Sequence, residues 1–162
     1  MKFRIKCLIG LVIVAMSSFC VSASDTTTKF QTGPFTVTVD LGTHCNDTNI
    51  SKPVSNEDLG GNGYTDYDAN LCKAEIWIRQ WGKDATYSFD LNSAFPTESI
   101  LQSLIKLGAD KDTINLYART IDGKPGAAGS GYVPKLDKMR YSAAFYVSPK
   151  SFCRIYIWGN EL

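Results

Sequence analysis

Met139 to Trp158 reads MRYSAAFYVSPKSFCRIYIW, and this stretch restricts the possible folds of the chain more than any other. Two runs rich in aromatic and β-branched residues flank Ser148-Pro149-Lys150-Ser151. Such runs around a turn-forming linker predict a β-hairpin. Alternation assigns Cys153, Ile155 and Ile157 to one face of the second arm and Arg154, Tyr156 and Trp158 to the other. A hairpin alone is marginal in water, so other strands or a helix must pack against this one.

The rest of the chain supplies both. Phe35 to Leu41 alternates as a strand, with Phe35, Val37, Val39 and Leu41 facing inward. Ala74 to Trp81 does the same, with Ala74, Ile76 and Ile78 opposite Glu75, Trp77, Arg79 and Trp81. Tyr64 to Leu71 and Ala85 to Leu91 read as shorter strands. Thr113 to Ile121 places Ile114, Leu116 and Ala118 opposite Tyr117 and Arg119. One segment is helical, Thr97 to Leu107. Pro96-Thr97 starts it, Glu98 suits its first turn, and Gly108 ends it. Ile100, Leu101, Leu104, Ile105 and Leu107 form its apolar stripe. Gly42 to Gly63 is polar and turn-rich, so no regular structure is assigned to it. Asp122 to Gly131 (DGKPGAAGSG) reads as a mobile glycine-rich turn, and Tyr132 to Asp137 as a connection. The predicted class is α+β: a mostly antiparallel sheet of five to seven strands with one main helix packed on a face. Residues 33–162 are expected to form one globular domain, and 24–32 a flexible N-terminus.

The start of the chain points to export. Lys2, Arg4 and Lys6 precede an apolar core from Cys7 to Val21, and Val21-Ser22-Ala23 offers a cleavage site after Ala23. Residues 1–23 therefore read as a secretory signal peptide. The apolar run falls short of the roughly 20 residues that a bilayer span prefers, so membrane association is expected only through an uncleaved signal segment. Lys plus Arg is 17 against 16 for Asp plus Glu, a net charge of +1. A balance this even provides no field to gather nucleic acid. Past the leader stand Cys45, Cys72 and Cys153, an odd number in a compartment that favours disulfides. Cys45–Cys72 would close the polar insertion on itself and is the favoured pair, with Cys72–Cys153 the alternative. Asn46-Asp47-Thr48 and Asn49-Ile50-Ser51 are glycosylation sequons and argue for a surface position.

Motifs of catalysis are scarce. His44 is the sole histidine, and the chain has no G-x-S-x-G elbow and no H-E-x-x-H pair. No catalytic residue and no cofactor is predicted. Asp66-Tyr67-Asp68-Ala69-Asn70 opens like a calcium loop, but Leu71 and Trp77 stand where such a loop needs glycine and glutamate. Asp66, Asp68 and Asn70 remain only as a looser cation candidate. Gly123-Lys124-Pro125-Gly126 lacks the Lys-Ser/Thr pair of a phosphate loop, and Pro125 removes an amide donor; it reads as a turn. The residues that stand out are aromatics interleaved with arginine. Trp77, Arg79, Trp81, Tyr117, Arg119, Tyr146, Arg154, Tyr156 and Trp158 are expected to share the polar face of the sheet. These types dominate binding hot spots because they bury large area and keep polar handles. Either the face takes a partner, a protein or glycan at the cell surface, or a second layer covers it, or the aromatics merely pack with the arginine stems.

The strand–strand–helix–strand order, then Thr120-Ile121-Asp122-Gly123-Lys124-Pro125-Gly126, then a tyrosine-containing strand ending in a hairpin, resembles the PsbP/Mog1-type α/β sandwich. It is most similar to secreted archaeal proteins of that layout, over about Phe35 to Trp158, with Ile121-Asp122-Gly123 as the matching motif. The resemblance implies binding or assembly rather than catalysis and carries over no site residue. Domains of that type finish with a second helix, whereas this sequence ends at Leu162; a sheet face is therefore expected to be bare or filled by a partner. Three function classes follow: an exported non-catalytic domain for binding or assembly, an extracellular hydrolase using a carboxylate pair drawn from Asp66, Asp68 and Glu75, and a structural envelope component.

Overall fold

The computed structural model describes residues 27–40, 45, 47–72, 74–121 and 123–159, together with the backbone of Lys2–Lys6. The apolar stretch Cys7–Val21, read above as the core of a signal peptide, lies outside the described residues, as do His44 and Asn46. The elements in order are β1 (Lys2–Lys6), β2 (Thr27–Thr32), β3 (Phe35–Asp40), β4 (Thr48–Ile50), β5 (Val54–Glu57), β6 (Gly63–Leu71) and β7 (Ala74–Trp81). Then come α1 (Phe95–Leu107), β8 (Asn115–Ile121), β9 (Lys124–Val133), β10 (Lys138–Ser148) and β11 (Ser151–Gly159). The main sheet has eight strands, all paired antiparallel, in the spatial order β4-β6-β7-β11-β10-β9-β8, with β5 beside β4 on the same edge of β6. The β2–β3 hairpin forms a second, small sheet, and β1 runs parallel beside β3.

The predicted class needs correction. With 58% of the described residues in strands and 15% helical, the protein is mostly antiparallel β rather than α+β. The single main helix on a sheet is as expected, but the sheet is larger than five to seven strands. Three segments supply strands that were not expected, two of them in the main sheet and one in the small sheet. The polar stretch 42–63 contributes β4 and β5, which line the edge of β6 with exposed side chains. The Ser/Thr-rich start, read as flexible, contributes β2, whose Phe30 and Thr32 are buried. The glycine-rich run 122–131, read as a turn, is most of the ten-residue strand β9. Conversely, Ala85 to Leu91 is not a strand. The tip of the β10–β11 hairpin holds it crosswise: the Phe89 amide donates to Pro149 O at 2.8 Å, and Lys150 Nζ donates to the carbonyls of Ala85 and Tyr87.

Both faces of the main sheet are packed, over different strands. On one face the β2–β3 hairpin lays Phe35, Val37 and Val39 against Leu71, Ile76, Ile78, Phe145, Cys153 and Ile155. The Cys45–Cys72 disulfide, with Cα atoms 5.9 Å apart, ties the chain leaving β3 to the β6–β7 turn. Cys153 is the free cysteine among the described residues and is buried, its thiol pKa raised by burial. On the other face α1 packs over β8, β9 and β10. Ile100 and Leu104 are fully buried there. The helix ends at Gly108, whose φ of 78° is left-handed and whose N–H reaches Ile105 O and Leu104 O.

The composition of β9 follows from this approach. Ala127, Gly129 and Gly131 point at the helix. A Cβ on Gly129 would come within 2.7 Å of Leu116 Cδ2, 2.8 Å of Asn115 O and 3.0 Å of Ile100 Cγ2. Glycine weakens a strand by itself, but here it lets a helix sit close on the sheet. Gly129→Val is therefore expected to cost about 1–3 kcal/mol through overpacking, read as a lower urea midpoint. The disulfide closes a loop with a sequence separation of 27. In the chain-entropy account its reduction costs about 3.5 kcal/mol. Urea unfolding with and without reductant checks this, and Cys153 is expected to react with thiol reagents only on unfolding.

Candidate functional site

Because α1 lies over β8–β10, the same sheet face is open over β6, β7 and β11. Strand register fixes what stands there. Trp77 pairs with Asp68 on β6 and with Arg154 on β11, Glu75 pairs with Asn70 and Tyr156, and Arg79 pairs with Asp66. Trp158 pairs with Arg140 on β10. Period-two alternation sends all these side chains to one side.

Each arginine on this face lies against aromatic rings. The Arg79 guanidinium is 3.8 Å from the Tyr64 ring centroid and 4.9 Å from that of Trp77. It also donates from Nε and Nη2 to the two oxygens of Asp66, both at 2.8 Å. The paired Asp66 raises its pKa further. Arg154 sits 4.1 Å from the Trp77 centroid. Arg140 sits 4.0 Å from Tyr156 and 4.3 Å from Trp158, with Nη2 3.9 Å from Glu75 Oε2. Arg140 is 6% exposed, and burial lowers its pKa. Such contacts contribute about 0.5–2 kcal/mol each. They also fix the orientation of side chains that would otherwise sample many rotamers. The Nε atoms of Arg140 and Arg154 and the Oγ of Ser142 are buried without a hydrogen-bond partner.

Trp77, Arg79, Trp81, Arg154, Tyr156 and Trp158 thus share one face, as alternation implies. Trp81 is 9% exposed, closed off by Tyr87, Phe89 and a hydrogen bond from its Nε1 to Asp58. Tyr146 lies on this face too, but beneath Phe89, Phe95 and Ser93, whose Oγ is 2.6 Å from its hydroxyl. Tyr117 and Arg119 stand elsewhere. Tyr117 pairs with Ala128, which pairs with Ala143, so both point to the opposite face at the β8 edge, where they stack on each other at 5.0 Å. Arg140 and Tyr64 were not singled out from sequence; alternation from Tyr146 back through Ala144 and Ser142 would have placed Arg140. Asp66, Asp68 and Asn70 alternate along β6 instead of encircling a point, and no group of three metal-ligating side chains occurs among the described residues. Asn49, in the second sequon, is exposed on β4.

Asp68 differs from the other carboxylates on this face. Burial first, then the like charges of Asp66 and Glu75, raise its pKa above the ordinary 3.8. The folded protein therefore holds that proton more tightly than the unfolded chain. Ionising Asp68 costs stability, and the cost grows as pH rises through the raised pKa. Asp68→Asn is expected to raise Tm at pH 7, with the gain shrinking as pH falls and vanishing below 3.8. Thermal scans at pH 7 and pH 3.5 check this; equal Tm values at pH 7 would contradict this environment.

Comparison with family models, curated proteins and solved structures finds no match to this chain.

Proposed function

We propose that this is an exported, non-catalytic binding domain whose contact surface is the arginine–aromatic face of β6, β7 and β11. One observation carries the reading. The helix covers only the β8–β10 side, so Arg79 and Arg154 with their rings stand on a half-exposed sheet surface with no layer over them among the described residues, and the buried Arg140 lies at its margin. Large amphipathic side chains held rigid by stacking lose little entropy when a partner covers them. The disulfide, the basic-apolar leader and the sequons support export, and no helix among the described residues is long and apolar enough to cross a membrane. The resemblance to PsbP/Mog1-type domains points the same way.

One observation favours a second reading, an extracellular hydrolase. Asp68, with its raised pKa, lies beside Glu75 in a recess of this face. A carboxyl that holds its proton more tightly, set beside a second carboxyl, is the kind of pair that acid–base chemistry uses.

The test is capture from the native envelope fraction. Wild type is compared with Trp77→Ala/Arg154→Ala on the open face and with Tyr117→Ala/Arg119→Ala on the opposite one, each shown to be folded by circular dichroism. The expected result is loss of captured material in the first variant alone. Equal capture by both variants, or loss in the second alone, counts against this face.

A further inference from the structure

Resting on that reading, we propose that the recess between β6 and β11 is a subsite for a neutral sugar ring, stacked on Tyr156 and hydrogen-bonded by Asp68, Asn70, Glu75 and Arg154. The recess has a volume of about 410 Å³ and is lined by those five residues, by Trp77, and by the Ser51–Asp68 edge of the sheet. That is the low end of the roughly 300–1,000 Å³ of small-molecule sites, the size class of one or two sugar rings.

Three features select the ligand. The first is the ring. Arg140 occupies one side of Tyr156 at 4.0 Å yet does not line the recess, whereas Tyr156 does. Tyr156 is therefore the aromatic side chain of the recess that no arginine of the recess is stacked on, and in this proposal it takes the C–H face of the sugar. Trp77 also lines the recess, with Arg154 4.1 Å and Arg79 4.9 Å from its ring centroid. The second is hydrogen bonding. Among the described residues, the Asp68 carboxylate has no hydrogen-bond or ion-pair partner, and Arg154 Nε is buried and unpaired. Glu75 is half exposed, and its link to Arg140 is long at 3.9 Å. Adjacent hydroxyls, each both donor and acceptor, meet such a mixed set of carboxylate, amide and guanidinium. The third is charge. Asp66, Asp68 and Glu75 stand against Arg79, Arg140 and Arg154. The face carries no net charge to draw an ion, and two carboxylates in the recess repel an acidic sugar.

The experiment is calorimetric titration of the full mature chain with neutral gluco-, manno- and galacto-configured oligosaccharides and with uronic-acid oligosaccharides. The expected result is binding of at least one neutral class and no binding of the uronic acids. Tyr156→Ala and Asp68→Asn are expected to weaken it at least tenfold, and Tyr156→Phe to retain it. Asp68→Asn is the informative variant because it is expected to be the more stable protein, so its loss of affinity would not be a folding defect. Stronger binding of uronic acids, or binding untouched by Tyr156→Ala and Asp68→Asn, overturns the subsite. So does failure to bind any of these sugars when the open-face variant still loses its captured partner after enzymatic removal of that partner's glycans. In that last case the binding face stands and only the sugar assignment falls. Release of new reducing ends, abolished in Asp68→Asn, keeps the subsite and removes the non-catalytic reading.

Discussion

The β10–β11 hairpin carries the structure because it lies in the middle of the main sheet and serves both cores. β11 is flanked by β7 and β10. Cys153 and Ile155 go to the core under the β2–β3 hairpin, and Phe152 goes to the core on the helix side. Its tip also anchors the 82–91 crossing: Trp81 N donates to Lys150 O and Phe89 N to Pro149 O, both at 2.8 Å. A central strand must satisfy its backbone on both edges, and β11 does so through continuous pairing with β7 and β10.

The open face follows from how the second layer is distributed. One helix of thirteen residues cannot span an eight-stranded sheet. It settles where β9 is narrowest in side-chain volume, over Ala127, Gly129 and Gly131. Over β6, β7 and β11 the sheet instead carries its own covering of long side chains. Arginine stems shield the strands, and the guanidinium heads lie against neighbouring rings, Arg79 partly exposed and Arg140 buried. This packing answers the question left open by sequence: the arginines and aromatics do pack on one another.

Much of this was legible residue by residue. The hairpin, the helix with its left-handed Gly108, and the faces of β7 and β11 follow from periodicity and turn chemistry over short distances. The errors came from longer-range partners. Asp122 to Gly131 looks like a turn because alanine and glycine disfavour strands, and only the helix above them makes small residues useful in β9. Ala85 to Leu91 has strand-like residues, yet Lys150 and Asn62 hold it across the sheet end, Asn62 Oδ1 accepting from Thr86 N at 2.8 Å. Tyr117 and Arg119 alternate as expected within their strand, but which face that alternation reaches depends on registers passed through β9 and β10.

The sequence by itself determined local conformation and the two-sided character of each strand, because these depend on side-chain size, branching and spacing within a few residues. Its basic-apolar start and cysteine count raised the expectation of export, with which the Cys45–Cys72 disulfide is compatible. Tertiary structure alone decided the pairing order, the disposition of the helix and hairpin on opposite faces, and hence which arginines meet which rings. Those outcomes depend on contacts between residues far apart in the chain, where a one-residue change of register exchanges the two faces of a strand.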